Sequence, residues 1–259
     1  MCASCRLKSI VAVLRSLSGC RALDMASGKG RFISTLLPIL PVGASFTGVD
    51  INQERIDEGR KSLAAKPVTF ATMDAAKLEY ADSSFDLVTI RDALHNLDDV
   101  ERVLAEMVRV LRSGGLLLIE EPIYEGVKSP ALDTTRAAFR WLAQAKQALG
   151  KPGHLPLSKA DLLQWIDGLT LDSVSECMSP MDIRCFLEDP SREPPALTED
   201  SPEFLVDCIE HLCDRIRSSS ASVASDLQSL AEEAEALKER LGRHGTVPAR
   251  YFVCLGRMR

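Results

Sequence analysis

The chain has 259 residues, of which 46% are hydrophobic and 26% are charged, and its formal net charge is -6. This length and composition predict one sizeable globular domain with an addition, and they exclude disordered and fibrous classes of protein. The negative net charge disfavours general binding to nucleic acid. A small or neutral partner is therefore expected.

The sequence contains no apolar run long enough to span a bilayer, and its first residues lack the cleavage site of a signal peptide. We therefore expect a cytoplasmic protein. Its eight cysteines are expected to be buried or idle thiols. Cys2 and Cys5 have the spacing of a metal-binding pair, but no second pair completes a zinc site, so no metal is predicted.

From residue 20 to residue 122, short apolar runs alternate with stretches of helical period, which is typical of βαβ units and a parallel sheet. This core follows an N-terminal helix expected within residues 1–19. The predicted strands are 22–25, 45–51, 68–74, 85–91 and 115–121. The predicted helices are 29–37, 53–64, 75–79 and 98–111. Gly114 is expected to take a positive φ where the last helix turns into a strand.

The second half follows another pattern, with a predicted helix at 158–169 and a strand at 170–178. The segment 123–187 is expected to complete the sheet and to form the substrate side. We expect 188–246 to be a linker, rich in proline and acid up to residue 203, followed by a helical insertion. The last segment, 247–259, is expected to be a strand that returns to the same sheet.

Two apolar stripes mark the helices of the insertion. The first stripe consists of Phe204, Leu205, Cys208, Ile209, Leu212, Cys213 and Ile216. The second has the spacing of a short coiled-coil seam and consists of Val223, Leu227, Leu230, Ala234, Leu237 and Leu241. Two interpretations stay open: the helices pack on each other and on the domain as a cover, or they form a dimerisation arm.

The stretch RALDMASGKGRF, residues 21–32, is a glycine-rich turn between a predicted strand and a predicted helix. Such a turn lets backbone N–H groups approach a ligand closely. It lacks the pattern of a triphosphate-binding loop, and Ile33 stands where the dinucleotide fingerprint has its third glycine. Taken alone, the turn does not define a ligand class.

Asp24, Asp50 and Asp74 fall at the carboxyl ends of three successive predicted strands. Open α/β sheets bind ligands at this edge. The Asp50 carboxylate is suited to accept hydrogen bonds from two ribose hydroxyls, and Asp74 from the amine of a base that rests on Ile51. An acid after a strand also forms turns, so the interpretation rests on all three together.

With these motifs on one edge, the chain resembles the class I S-adenosylmethionine-dependent methyltransferases, and within them the small-molecule group similar to the ubiquinone and menaquinone biosynthesis enzymes. LDMASGKGRF is similar to the family's D-x-G-x-G-x-G loop, GVDIN to its ribose-binding acid, and ALHNL and EMVRVLRSGG to later segments. The resemblance implies a single α/β methyltransferase domain over 1–259, a Rossmann-like three-layer sandwich. Its mostly parallel seven-stranded sheet would have a helical insertion before an antiparallel last strand.

The resemblance also implies S-adenosylmethionine as cofactor and S-adenosylhomocysteine as its product. Asp24 would face the amino end of the methionine, and Asp50 would hold the ribose. Ala26, Gly28 and Gly30 would line the cofactor with backbone. Ala26 replaces the family's first glycine, and a methyl group is tolerable there if its φ stays negative.

For the adenine, the resemblance implies that Ile51 packs on the ring and that Asp74, with the amide of Ala75, binds its edge. Arg91 would offer a backbone contact. Two alternatives stay open: a catalytically silent cofactor-binding subunit, and a nicotinamide-dependent oxidoreductase.

Methyl transfer to an O, N or C atom of a small molecule needs a dedicated base only where that atom carries a proton of high pKa. His95 is the best-placed base, although a packing or capping role is also open; Asp92 and Tyr124 are weaker candidates. The acceptor is expected to contact segment 122–157 and insertion 190–245. The aromatic candidates in the first of these segments are Phe139, Trp141 and His154. Two interpretations stay open for them: stacking on a flat acceptor, and packing in the core, which is the commoner role of apolar residues on helices.

Overall fold

The computed structural model describes residues 3–151, 153, 155, 157–179, 183, 201–218, 224–247 and 249–259. The chain divides into two compact units. The first comprises Met1–Glu121, Ala160–Arg192 and Tyr251–Arg259, and the second comprises Pro122–Lys159 and Glu193–Arg250. Among the described residues, no helix is both long and apolar enough to cross a membrane.

The first unit is built on the sheet. Its strands are β1 (Arg21–Met25), β2 (Ser45–Asp50), β3 (Val68–Thr72), β4 (Phe85–Arg91), β5 (Leu111–Ile123), β6 (Leu171–Ser179) and β7 (Arg250–Met258). The accompanying helices are α1 (Ala3–Arg15), α2 (Arg31–Leu36), α3 (Gln53–Ser62), a 3-10 turn (Leu94–Asn96), α4 (Val100–Val110) and α6 (Lys159–Asp167).

In the described part of the chain the strands form one sheet of order β3-β2-β1-β4-β5-β7-β6. The first five strands pair in parallel, whereas β7 runs antiparallel to β6. The predicted Rossmann-like, mostly parallel sheet with an antiparallel closing strand is confirmed. This topology brings the carboxyl ends of β1 to β5 to one edge.

Continuous apolar runs predicted β1 and β4 correctly because these central strands are buried on both faces. Met25, Leu87 and Ile90 are each at most 1% exposed. Their side chains form part of the core that holds the sheet edge in place.

The helix predicted at 75–79 is wrong, since these residues form a turn. Asp74 accepts a hydrogen bond from the Ala76 amide (2.8 Å), and the Leu78 amide donates to Glu106 Oε2 (2.7 Å). Arg109 donates to the Leu78 carbonyl. Side chains of α4 therefore satisfy backbone groups that a helix would pair internally.

Helix α4 ends at Val110, before the glycine pair that was expected to end it, and β5 begins at Leu111. The pairing of β4 with β5 shifts register between Phe85 and Leu87. Gly114 has a φ of 73°, which confirms the predicted positive φ. Gly114 therefore lies at an irregularity within β5, and not at the end of α4.

The second unit contains α5 (Pro130–Ala148), α7 (Pro202–Ser218) and α8 (Ala224–His244). These helices share one apolar core, which includes Trp141, Leu205, Ile209, Leu212, Leu230, Ala234, Leu237 and Leu241. The indole nitrogen of Trp141 donates to the Leu230 carbonyl at 2.8 Å. Most of both predicted stripes is therefore buried inside this unit, as the interpretation of mutual packing requires.

Two members of the stripes are exceptions, because Phe204 is 42% exposed and Val223 lies outside the described residues. Most of the predicted linker also lies outside the described residues. The described cysteines Cys20, Cys208, Cys213 and Cys254 are free thiols, in line with the expected idle state. The domain subdivision stays a prediction, although its boundary at residue 122 coincides with the division after Glu121.

Candidate cofactor site

The candidate site lies where the parallel strands end. Asp24 of β1 pairs in register with Thr89 of β4, and Arg91 of β4 pairs with Glu120 of β5. Alternate residues of a strand share a face, so Asp24, Thr89, Arg91 and Glu120 lie on one face of the sheet. Glu121 lies on the opposite face. Polar groups thus mark both faces at this edge.

The glycine loop is tied to β2. The Ser27 amide donates to the Val49 carbonyl (2.9 Å), and the Gly28 amide donates to Asp50 Oδ2 (2.8 Å). Gly30, with φ 76°, is the N-cap of α2. A Cβ at Gly30 would lie 2.7 Å from the Phe70 ring, so this glycine is needed for packing.

Gly28 differs from Gly30 in its surroundings. A Cβ at Gly28 would meet only Arg55 Cδ at 4.0 Å. The backbone at Gly28, whose φ is 52°, is therefore open on the side where a Cβ would project. A ligand is able to approach the chain closely at such a position.

Ala26 has a φ of 49°, so the negative φ that would make its methyl group tolerable is not adopted. A non-glycine residue in this left-handed region brings its Cβ close to the following carbonyl oxygen. The loop keeps the glycine conformation of the D-x-G-x-G-x-G pattern although a methyl group is present. Ala26 is consequently a strained position.

Asp50 is 7% exposed, and each of its carboxylate oxygens accepts one backbone hydrogen bond. Oδ2 accepts from Gly28 and Oδ1 from the Asn52 amide, both at 2.8 Å. A carboxylate oxygen has two lone pairs, so each retains the capacity for one further donor. The adjacent Ile51 is 75% exposed, an unusual state for a large apolar side chain directly beside a buried acid.

Asp74 and Ala75 follow β3, the strand beside β2. The Met73 amide donates to the Asp50 carbonyl at 3.0 Å, which joins the two strand ends. Asp74 is exposed and Ala75 is half-buried. The structure therefore brings the predicted ribose and adenine contacts to one stretch of the sheet edge.

Asp24 is 1% exposed and accepts a hydrogen bond from Thr89 Oγ1 at 2.6 Å. Burial raises the pKa of Asp24 to about 7, against the lowering effects of the Thr89 hydrogen bond and the Arg91 charge. A cationic group bound beside Asp24 would favour its ionised form. A buried carboxylate that is ionised by a bound cation is suited to face an ammonium group.

Arg91 is anchored by its side chain. Its Nε lies 2.7 Å from Glu120 Oε1, and its guanidinium lies 5.5 Å from the centre of the Phe32 ring. Glu120 is fully buried and also accepts from the Ile183 amide at 2.8 Å. The side chain of Arg91 thus holds the end of β4, while its predicted backbone contact stays a prediction.

His95 lies in the 3-10 turn after β4 and contacts Glu121. Its Nδ1 is 3.0 Å from Glu121 Oε2, and the Asn96 amide nitrogen is 2.8 Å from its Nε2. Glu121 is fully buried, whereas the His95 side chain is 25% exposed. Sequence reasoning missed both Glu120 and Glu121. The available signal was a pair of acids that directly continues an apolar strand.

Asp92, His95 and Glu121 each offer one nitrogen or oxygen atom within 4.8 Å of the others. This composition suits a divalent metal. However, Glu121 Oε1 accepts from the amides of Ala93 and Leu94, both at 2.7 Å, and Oε2 faces the imidazole. Hydrogen bonds therefore already engage both oxygens of Glu121, and we assign no metal ligand here.

The predicted aromatic contacts to the acceptor differ from one another. Tyr124 and Phe139 stack with ring centres 4.4 Å apart. Trp141 is only 3% exposed within the helical core, so core packing and not acceptor contact is the interpretation that holds for it. Its apolar ring is better satisfied by packing. His154 lies outside the described residues.

The sheet order and the glycine loop joined to a buried acid define a Rossmann-like α/β fold. Residues 23–119 match the family model described as a methyltransferase domain. This segment is less than half of the chain, and over it the predicted resemblance to the class I S-adenosylmethionine-dependent methyltransferases is confirmed.

A ubiquinone/menaquinone biosynthesis C-methyltransferase from Desulfotalea psychrophila is 37% identical over 95 residues, which are 37% of this chain and 38% of that protein. The chain spans between 38% and 58% of the length of such relatives. The YcgJ protein from Bacillus subtilis has a TM-score of 0.57 at 18% identity, with 98% of both chains covered.

Another similar structure is phosphoethanolamine N-methyltransferase 2 from Haemonchus contortus, in complex with S-adenosyl-L-methionine. It has a TM-score of 0.55 at 16% identity, with 98% of this chain and 52% of that chain covered. At these identities the two structural likenesses concern the fold alone.

Proposed function

We propose that this protein is an S-adenosylmethionine-dependent methyltransferase that acts on an O, N or C atom of a small molecule. The observation that carries the proposal is the glycine loop bonded to Asp50 within a segment of the methyltransferase domain family. Neither a silent cofactor-binding subunit nor a nicotinamide-dependent oxidoreductase is favoured by a specific observation.

The sheet edge fits the adenosine part of the cofactor. Asp50 would hold the ribose hydroxyls with its remaining lone pairs, and the open side of Gly28 would admit the ligand backbone. Ile51, exposed and apolar, would pack on the adenine. Asp74 and the Ala75 amide would bind the adenine edge.

The methionine part would lie toward β1 and β4. Asp24, buried and held by Thr89, would face its ammonium group. The backbones of Ala26, Gly30 and Arg91 would complete this side of the site. The ion pair of Arg91 with Glu120 would keep the end of β4 in position.

When bound, S-adenosylmethionine supplies an electrophilic methyl group. The protein's task is to hold the acceptor atom in line with that group and to keep water out. His95 is the candidate to take a proton from an acceptor that carries one. Asp92 and Tyr124 are weaker candidates for this role.

We further propose a small-molecule acceptor rather than nucleic acid as the partner. A cytoplasmic location and a homodimer through the 204–241 helices stay predictions. A dimer contact would use faces other than the apolar stripe of α8, because Leu230, Ala234, Leu237 and Leu241 are buried within the chain.

Isothermal titration tests the cofactor. The intact protein should bind S-adenosylhomocysteine, and Asp50→Ala should lose about 1–3 kcal/mol of binding free energy, roughly 5- to 150-fold in affinity. Asp57→Ala is the matched control, since Asp57 is an acid of α3 whose side chain is 49% exposed. Tight binding of NAD without binding of S-adenosylhomocysteine would contradict the proposal.

Catalysis is tested separately. Release of S-adenosylhomocysteine is measured with a panel of small hydroxyl, amine and activated-carbon acceptors. Turnover with any of them distinguishes an enzyme from a silent cofactor-binding subunit.

A further inference from the structure

We infer that Glu121 is a positioning residue that holds His95 as the base for the methyl acceptor, and that the acceptor therefore carries its methylation at a hydroxyl or at a carbon with an acidic proton. This inference deepens the proposed function and rests on it. The residues on which it rests lie in the turn after β4 and at the end of β5.

Glu121 is held rigidly. It is fully buried, and its Oε1 accepts hydrogen bonds from the Ala93 and Leu94 amides, both at 2.7 Å. These bonds fasten the 3-10 turn to β5. A neutral glutamine oxygen would accept the same two bonds, so the turn alone does not require a buried carboxylate.

The contact of the second Glu121 oxygen explains why a carboxylate, and not a neutral amide, stands at this position. Oε2 lies 3.0 Å from His95 Nδ1, and an ionised carboxylate only accepts hydrogen bonds, so Nδ1 carries the proton. At the other side of the ring, the Asn96 amide nitrogen lies 2.8 Å from Nε2 and donates to it. Both neighbours therefore select the same tautomer, in which Nε2 has the lone pair.

The His95 ring is partly open, since its side chain is 25% exposed while Glu121 is fully buried. The acceptor has to displace the Asn96 amide from Nε2 before this nitrogen takes a proton. Asp92 Oδ1 lies 3.9 Å from Nε2, beyond hydrogen-bonding distance. When Nε2 takes a proton, the buried carboxylate at Nδ1 stabilises the imidazolium. An oriented histidine with such a partner suits an acceptor that must lose a proton as it is methylated.

The proton and electron transfers balance as follows. The acceptor's O–H or C–H proton passes to His95 Nε2, and the electron pair it leaves on the acceptor forms the bond to the methyl carbon. The carbon–sulfur bond breaks, and its pair stays on sulfur. An amine that arrives neutral keeps its own lone pair and would not need this base.

The tautomer is measured by nitrogen NMR of histidine-labelled protein, without acceptor or cofactor. The chain has four histidines, so His95→Gln identifies the His95 signals by their disappearance. We expect Nδ1 to be protonated and Nε2 to have the shift of an unprotonated nitrogen. Predominance of the Nε2-protonated tautomer in the unaltered protein would overturn the inference without any other variant.

Glu121→Gln provides the decisive comparison. The glutamine oxygen keeps the two backbone bonds, and its NH₂ group then faces Nδ1, so His95 should switch to the Nε2-protonated tautomer. Asp92→Asn is the control and should leave the tautomer unchanged. The exposed His211 and His244 serve as internal references. An unchanged tautomer in Glu121→Gln contradicts the positioning role.

Once an acceptor is found, Glu121→Gln should lower kcat by roughly 10²- to 10⁴-fold while S-adenosylhomocysteine affinity stays within about twofold. A loss of affinity without loss of kcat overturns the inference, as does turnover of amines only. Failure of the unaltered protein to bind S-adenosylhomocysteine would instead refute the proposed function, and the tautomer result is independent of it.

Discussion

The sheet edge of the first unit and the helical core of the second unit bury different kinds of side chain. Among the described residues, the buried acids Asp24, Asp50, Asp86, Glu120 and Glu121 all belong to the first unit. The buried polar residues of the second unit are Thr134 and Thr135, whose hydroxyls bond to carbonyls of their own helix. Buried charges contribute little to the free energy of folding, because the cost of removing them from water offsets their attraction to a partner. Asp86 lies at the start of β4, whereas the other four acids lie at the carboxyl ends of their strands. This contrast supports the proposed ligand site at the carboxyl edge, while packing accounts for the helical core.

The largest expected effect comes from breaking the buried ion pair. Arg91→Met leaves Glu120 charged in a fully buried position, which should cost about 3–5 kcal/mol of unfolding free energy. Chemical denaturation measures this loss. Arg243→Met is the matched control, because its pair with Glu239 is more than 60% exposed on both sides and should contribute less than about 1 kcal/mol. Equal losses would mean that the sheet edge is not a special electrostatic environment.

The helical core is tested by cavity formation. Ile209 is fully buried, so Ile209→Ala should cost about 2–5 kcal/mol. Phe204→Ala on the same helix should cost about 0.5 kcal/mol at most, since Phe204 is 42% exposed. Thermal unfolding of both variants gives the comparison. A larger loss for Phe204→Ala would show that α7 buries a different face.

The titration of Asp24 makes the stability of the fold depend on pH. Its pKa is raised from 3.8 to about 7 in the folded state, so between these values the unfolded chain is ionised while the folded chain still holds the proton. Stability from this group is present below pH 4 and is lost as pH rises toward 7. Asp24→Asn lacks this titration.

The unfolding free energy of Asp24→Asn, relative to that of the unaltered protein, should therefore rise from pH 4 to pH 7 and then level off. The total rise should reach a few kcal/mol, since each pKa unit corresponds to about 1.4 kcal/mol. Unfolding free energies measured across this range provide the test. A constant difference between the two proteins would argue against a raised pKa.

The smallest effect is expected in the glycine loop. Ala26→Gly removes the backbone strain of a left-handed alanine, but it also increases the conformational entropy of the unfolded chain. The net increase in unfolding free energy is expected to be about 0.5–1 kcal/mol. Ala22→Gly, in the adjacent strand, should instead destabilise the protein. If both variants lose stability, the positive φ of Ala26 carries no strain.

The sequence allowed the central sheet to be predicted because each of β1 to β5 contains an apolar run and recognisable turns separate these runs. The burial on both faces holds for β1 and β4, whereas β3 at the edge of the sheet is only partly buried. The turn at 75–79 was not predictable locally, since its backbone bonds go to Glu106 and Arg109 far along the chain. For Trp141, both acceptor contact and core packing stayed open because aromaticity alone does not distinguish packing from binding.

The predicted cofactor contacts rest on the strand-end acids and on the family resemblance, neither of which pointed to Glu120 and Glu121. Their roles depend on the register of β4 with β5 and on the turn that carries His95, and neither is encoded in a local pattern. The positive φ of Ala26 was missed for a related reason: the loop conformation is set by bonds from Ser27 and Gly28 to β2.

The most direct test of the proposed ligand edge is a crystal structure of the protein soaked with S-adenosylhomocysteine. We expect the ribose hydroxyls at Asp50, the adenine on Ile51 and the ammonium group at Asp24. A ligand in the cleft of about 410 Å³ lined by Lys77, Tyr80 and Arg102, with the glycine loop empty, would contradict the assignment of the sheet edge as the cofactor site.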